Sequence, residues 1–208
     1  MKKLRHISMI AMCVACLALL PPAITAQEPD ATPGAAKASN QQNTAAGPQA
    51  TPAGPVANPL STAVKGQLTR YAKIIVAAAD VMPAEKYGFK PTPEMNSFGH
   101  LLTHIADGNN ILCSKISGAA APSAPKLAET DGKDKLVAGL KTSFEYCSGA
   151  LANLDDSKLS ESLVLFGRPS SQAGAMLALT GGWNDHYAAE AIYLRLSGIL
   201  PPTAQPKQ

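Results

Sequence analysis

The folded part of this 208-residue chain lacks the short motifs that announce the commonest chemistries. After residue 26 there is no Gly-rich phosphate loop, no Ser-centred nucleophile motif and no CxxC pair. Those absences remove the nucleotide-phosphate, serine-hydrolase and dithiol-redox readings. Strand-like alternation and internal repeats are missing as well. The apolar run Ile7 to Leu20 is too short to favour a membrane span, so no stable span is expected in the mature chain. Charge of one sign is also in short supply. The formal +3 belongs to Lys2, Lys3 and Arg5, and without them 15 basic side chains stand against 15 acidic ones. A near-neutral chain gives no reason to expect a nucleic-acid partner.

Those three cations instead open a targeting segment. A basic start, an apolar run and the small residues Ala23-Ile24-Thr25-Ala26 read as a signal peptide over residues 1–26. Retention as an N-terminal anchor is the alternative. The expected location is the periplasm or the exterior, where the remaining cysteines, Cys113 and Cys147, are free to oxidise. Residues 27–58 are rich in Ala, Pro, Gln, Thr and Gly and carry little that can be buried. They read as a disordered linker. Residues 59–202 suffice for one domain with one core, and 203–208 read as a disordered tail.

Four helical patterns fill that domain, and the fold class is all-α. Asn58-Pro59 gives a cap followed by Pro at the first helical position. Leu60, Val64, Leu68, Tyr71, Ile75, Ala78 and Val81 then mark one face of the first helix, which ends at Met82-Pro83. Pro83 to Asn96 is a connection whose aromatics cover one end of the core. Ser97 caps the second helix, with Leu101, Ile105, Leu112 and Ile116 as its stripe and His104 at the stripe's edge. The third helix starts near Asp131 or Asp134 and carries Leu136, Leu140, Phe144, Cys147, Leu151 and Leu154. Ser157 to Pro169 reads as a loop. The fourth helix runs from about Ser170 to Leu196 along Met176, Trp183, Tyr187 and Leu194, with His186 and Glu190 on one flank. Gly198 ends it ahead of Pro201-Pro202.

Counting along the helices then constrains topology. Cys113 and Cys147 lie equally far from the starts of their helices, so a parallel pair brings them to one height and permits a disulfide. An antiparallel pair separates them by on the order of 15 Å. The connection between these helices is long enough to return along the bundle. Up-down-down-up with a Cys113–Cys147 bond is therefore expected, two buried free thiols being the alternative. The same topology sets the fourth helix against the second and brings His104 and His186 to within about one turn of each other.

Met82-Pro83-Ala84-Glu85-Lys86-Tyr87, Ser97-Phe98-Gly99, Leu102-Thr103-His104-Ile105-Ala106-Asp107 and Asn184-Asp185-His186-Tyr187, in that order, resemble the DinB-like superfamily. Its members are four-helix proteins of up-down-down-up topology, described as metalloenzymes. The resemblance implies a metal site built from one histidine of the second helix and a His-x-x-x-His pair of the fourth. His104 matches the first position and His186 the last. The middle position falls on Gly182, which has no ligand atom.

Catalytic zinc or nickel wants three protein ligands plus water. His100, one turn before His104, and Glu190, one turn after His186, are the candidate third donors, ahead of Asp107 and Asp185. Two functional readings follow. One is a degenerate metal site in a bundle that binds a small molecule or a protein partner, with a homodimer among the options. The other is a divalent-metal-dependent transferase or hydrolase of the thiol-dependent kind, using His104 and His186. A plainer alternative leaves both histidines partly buried and hydrogen-bonded to Asp107, Glu190 or Tyr193.

Overall fold

The computed structural model describes residues 54–123 and 126–206. The expected signal peptide and most of the expected linker lie outside the described residues. Four helices carry the domain: α1 Pro59–Val81, α2 Phe98–Ser117, α3 Lys133–Ala150 and α4 Gln172–Leu196. The three-and-four spacing of large apolar residues puts Val64, Leu68, Tyr71 and Ile75 of α1 in the core. Leu136, Leu140, Phe144 and Cys147 of α3 join them there.

The buried face of α2 is rotated from the expected stripe. Phe98, Leu102, Ile105, Asn109, Leu112, Cys113 and Ile116 are buried, while Leu101 lies at the rim. On α4 the buried residues include Met176, Leu179, Trp183, Glu190, Tyr193 and Leu194, and Tyr187 is only half-buried.

Cross-links between helices fix their directions. Asn109 Nδ2 donates to Ser143 Oγ at 3.0 Å, and Cys113 is disulfide-bonded to Cys147 with Cα atoms 5.3 Å apart. Both links span 34 residues, so α2 and α3 run parallel. Trp183 of mid-α4 donates to Asn109, whereas Gln172 at the start of α4 donates to the Ile116 carbonyl near the end of α2. These two helices are therefore antiparallel.

α1 is held at both ends by the flanks of α3. Lys133 Nζ donates to the carbonyls of Asp80 (2.6 Å) and Met82 (2.9 Å), placing a cation at the negative end of the helix. At the other end the Asp156 carboxylate accepts from the amides of Leu60 (2.9 Å) and Ser61 (2.8 Å). The result is an up-down-down-up bundle.

Three local expectations need correction. Asn58 does not cap α1 with its side chain; it sits in the left-handed region at φ 50°, and Asp156 supplies the cap from 98 residues away. Asp156 loses solvation there, which raises its carboxyl pKa, but the two amide bonds and the Ser61 hydroxyl bring it below the ordinary value. The segment read as a loop holds a two-stranded hairpin, β1 Ser162–Leu165 paired antiparallel with β2 Arg168–Ser171. Its turn uses positive φ at both Phe166 (50°) and Gly167 (76°). Finally, the domain extends past Pro202. Thr203 exchanges hydrogen bonds with the Tyr187 hydroxyl, inside a short 3-10 turn, Pro202–Ala204.

The connection before α2 does cover the end of the core. Tyr87 meets Phe98 edge-on at 5.3 Å, and Phe89 meets Tyr193 at 6.1 Å. Gly99 is required where the chain entering α3 crosses α2, since a Cβ there would collide with the Glu129 carbonyl.

Candidate functional site

Ser97 caps α2 by accepting from the His100 amide at 3.0 Å, so the first turns of α2 are firmly placed. The antiparallel packing then sets those turns against the second half of α4. His104 and His186 meet there with ring centroids 5.0 Å apart and planes at 87°. They line one cavity of about 400 Å³ together with His100, Leu101, Asp185, Ala189 and Tyr193. Glu94, Met95 and Asn96, from the connection before α2, complete its wall. The sequence had assigned none of these three to a site.

Electrostatics differ between the two rings. His104 is exposed, whereas His186 is half-buried. Burial, and then the neighbouring His104, push the His186 imidazole below its ordinary pKa, while Asp185 pulls it the other way. The net effect keeps a neutral ring with a free lone pair at neutral pH. Chemically that ring can accept a proton, take a hydrogen bond or hold a metal ion.

The fit to a metal ion is partial. Two imidazoles on one tetrahedral ion have centroids roughly 5 Å apart, given metal–nitrogen bonds of about 2 Å. The 5.0 Å separation matches that. The third donor does not follow. His100 stacks on His104 at 6.4 Å with planes only 9° apart, so the in-plane lone pairs of these rings run parallel instead of converging. Its Nδ1 lies 3.4 Å from Glu129.

Glu190 is 0 % exposed, is not part of the cavity wall, and has no hydrogen-bond partner on either carboxylate oxygen. It is neither a solvated surface acid nor a donor turned toward the ring pair. Burial holds its carboxyl well above the ordinary carboxylate range. Gly182 contributes only space. Among the described residues no group of three or more His, Cys, Asp or Glu side chains is arranged to hold a metal ion.

Nor do the expected hydrogen-bonding partners of the two histidines serve them. Asp107 lies 3.6 Å from Lys126, and the Tyr193 hydroxyl donates to the Asn96 carbonyl at 2.6 Å. A buried polar chain linking α4, α2 and α3 has no counterpart in the sequence reading. Trp183 Nε1 donates to Asn109 Oδ1 at 2.7 Å, and Asn109 donates onward to Ser143. All three residues are buried. The available signal was Asn109, a polar residue on the apolar stripe of α2.

A model of the DinB superfamily matches residues 67–186, more than half of the chain and including both histidines. The chain belongs to the DinB superfamily. Solved structures share its fold, among them two DinB-like proteins. A DinB-like protein from Bacillus subtilis is 20% identical, with a TM-score of 0.56 over 70% of this chain and 99% of that one. A DinB-like protein from Bacillus cereus is 16% identical, with a TM-score of 0.57 over 68% of this chain and 95% of that one. No curated protein matches the chain. Among the described residues no helix of this DinB-superfamily chain is long and apolar enough to cross a membrane.

Proposed function

We propose that this DinB-superfamily domain is a binding module that takes a small molecule in the cavity between α2 and α4, with a degenerate metal site at its mouth. The observation that carries the reading is the third corner of the site. His104 and His186 are paired, but Gly182 offers no donor, and both His100 and Glu190 point their chemistry elsewhere. Two imidazoles beside a cavity of about 400 Å³, with Leu101, Met95, Ala189 and Tyr193 as apolar wall, suit polar anchoring of a small ligand. An oxidising compartment, the periplasm or the exterior, is part of the proposal. The buried disulfide and the basic, apolar N-terminal segment support it.

Isothermal titration with zinc and nickel tests the reading. Weak binding, little changed by His104→Ala or His186→Ala, is the expected result. Tight, one-to-one binding that either substitution abolishes contradicts it.

A second reading, a divalent-metal-dependent transferase or hydrolase, is favoured by the 5.0 Å ring separation alone. In that case His104 and His186 would hold zinc or nickel, which would polarise a water or thiol. The substrate would have to supply a further donor.

A further inference from the structure

The side chains around the histidine cavity carry a marked imbalance of charge. Two of its lining residues, Glu94 and Asp185, are carboxylates, and none is a lysine or arginine. Neither acid has a cationic partner among the described residues, although most other ion pairs on the domain bring a lysine to a carboxylate. Asp185 follows directly from its place on α4 beside His186, on which its charge acts. Glu94 comes from the connection before α2, where its own backbone amide and then the Thr92 hydroxyl hold its carboxyl below the ordinary value. Glu129 stands just beyond, 3.4 Å from His100 and accepting from Ser97 Oγ at 2.9 Å. The cavity is therefore negative on a domain whose overall charge is close to balanced.

The remaining wall is suited to an organic body. Tyr193 spends its hydroxyl on the Asn96 carbonyl, which leaves its ring as wall, and Leu101, Met95 and Ala189 are apolar. The imidazoles of His104 and His186 add aromatic faces and acceptor nitrogens. An anionic ligand would meet two uncompensated carboxylates there. An ammonium on an apolar or aromatic body meets complementary charge, acceptors and ring surface together.

We propose that the ligand class of this cavity is a small primary or substituted amine, bound as its cation between Glu94 and Asp185 with its apolar body against Tyr193 and Leu101. The proposal rests on the reading of the cavity as a small-molecule site and goes further by naming the ligand class.

Three probes of one shape and different charge test it on the full chain: benzylamine, benzyl alcohol and benzoate. Binding is read from the NMR signals of the His104 and His186 rings. Benzylamine is expected to bind at least about tenfold more tightly than benzoate. Asp185→Asn and Glu94→Gln should each cut that preference by about three- to tenfold, with a smaller effect on the neutral benzyl alcohol. Benzoate binding as well as benzylamine, or a preference indifferent to both substitutions, overturns the amine assignment and leaves the small-molecule reading intact. Ring signals that move with none of the three probes overturn both.

Discussion

His186 leans back over Gly182, so that a Cβ built on residue 182 would lie 3.7 Å from the imidazole Nε2 with nothing closer. Side chains on a helix tilt toward its N-terminus, which is why residues four apart meet in this way. The missing third corner is thus open space bordered by the ring that would need it. Gly182→His adds its Cβ without a clash and should set a second imidazole one turn from His186. Zinc affinity is predicted to rise by about 100-fold or more, measured by isothermal titration. An affinity that does not change would show that the gap at Gly182 is not what limits metal binding.

The disulfide joins two parallel helices across a separation of 34 residues and lies at 0 % exposure at both ends. Its contribution comes from restricting the unfolded chain. Replacing both cysteines with Ala is predicted to lower stability by about 2–4 kcal/mol in urea denaturation. Loss of less than about 1 kcal/mol would mean that α2 and α3 are already held by Asn109–Ser143 and the surrounding packing.

Glu190 makes the domain less stable as pH rises. Its folded pKa lies above the ordinary 4.5, so its contribution is whole below pH 4.5. Above that pH the unfolded chain releases a proton that the folded one keeps, and stability falls toward the folded pKa. Glu190→Leu removes a buried carboxyl with no partner. It is predicted to raise stability at pH 8 by about 1–3 kcal/mol, with a smaller gain at pH 4.5, by denaturation at both values.

His186 acts at the acid edge, because its pKa is lowered from 6.5. Its contribution is present above pH 6.5 and lost as pH falls through the folded value. His186→Gln should flatten that acid limb of the stability profile and leave the alkaline limb, which belongs to Glu190, in place. Chemical denaturation between pH 5 and 7 checks it.

Trp183 fills the centre of the bundle and donates to Asn109 at 2.7 Å. Trp183→Phe keeps most of the ring but strands a buried amide oxygen, for a predicted loss of about 1–3 kcal/mol. Pairing it with Asn109→Leu should recover part of that loss, because both polar partners are then gone. Failure of the double variant to recover anything would assign the whole cost to lost volume.

The architecture was legible because α1, α2 and α3 each carry one dominant apolar stripe, with only Val81 and Ile111 of their large apolar residues exposed beside it, and because Cys113 and Cys147 sit at matched heights. α4 resisted the same reading. Leu177, Ile192 and Leu196 are exposed, while Met176, Leu179 and Leu194 are buried. Hydrophobicity all around a helix does not say which side is out. Hence the spacing puts Tyr187 on the core stripe, where it is only half-buried, and does not show that Glu190 is buried away from the cavity.

The hairpin was missed because Phe166-Gly167 lacks the Asn-Gly or Asp-Gly signature of such turns, and because Pro169 argues against a strand except at an edge. The cap on α1 escaped because its acid, Asp156, arrives from beyond α3. The pairing of His104 with His186 followed from topology and helix rise. The angles of His100 and Glu190, which decide the donor count, depend on packing that no spacing rule supplies.

Metal content of the native chain, purified from the compartment where it accumulates with no affinity tag and no added chelator, tests the central claim most directly. Well under one equivalent of zinc or nickel per chain, the same in wild type and in His186→Ala, is the predicted result. A full equivalent in the wild type that His186→Ala removes would contradict it.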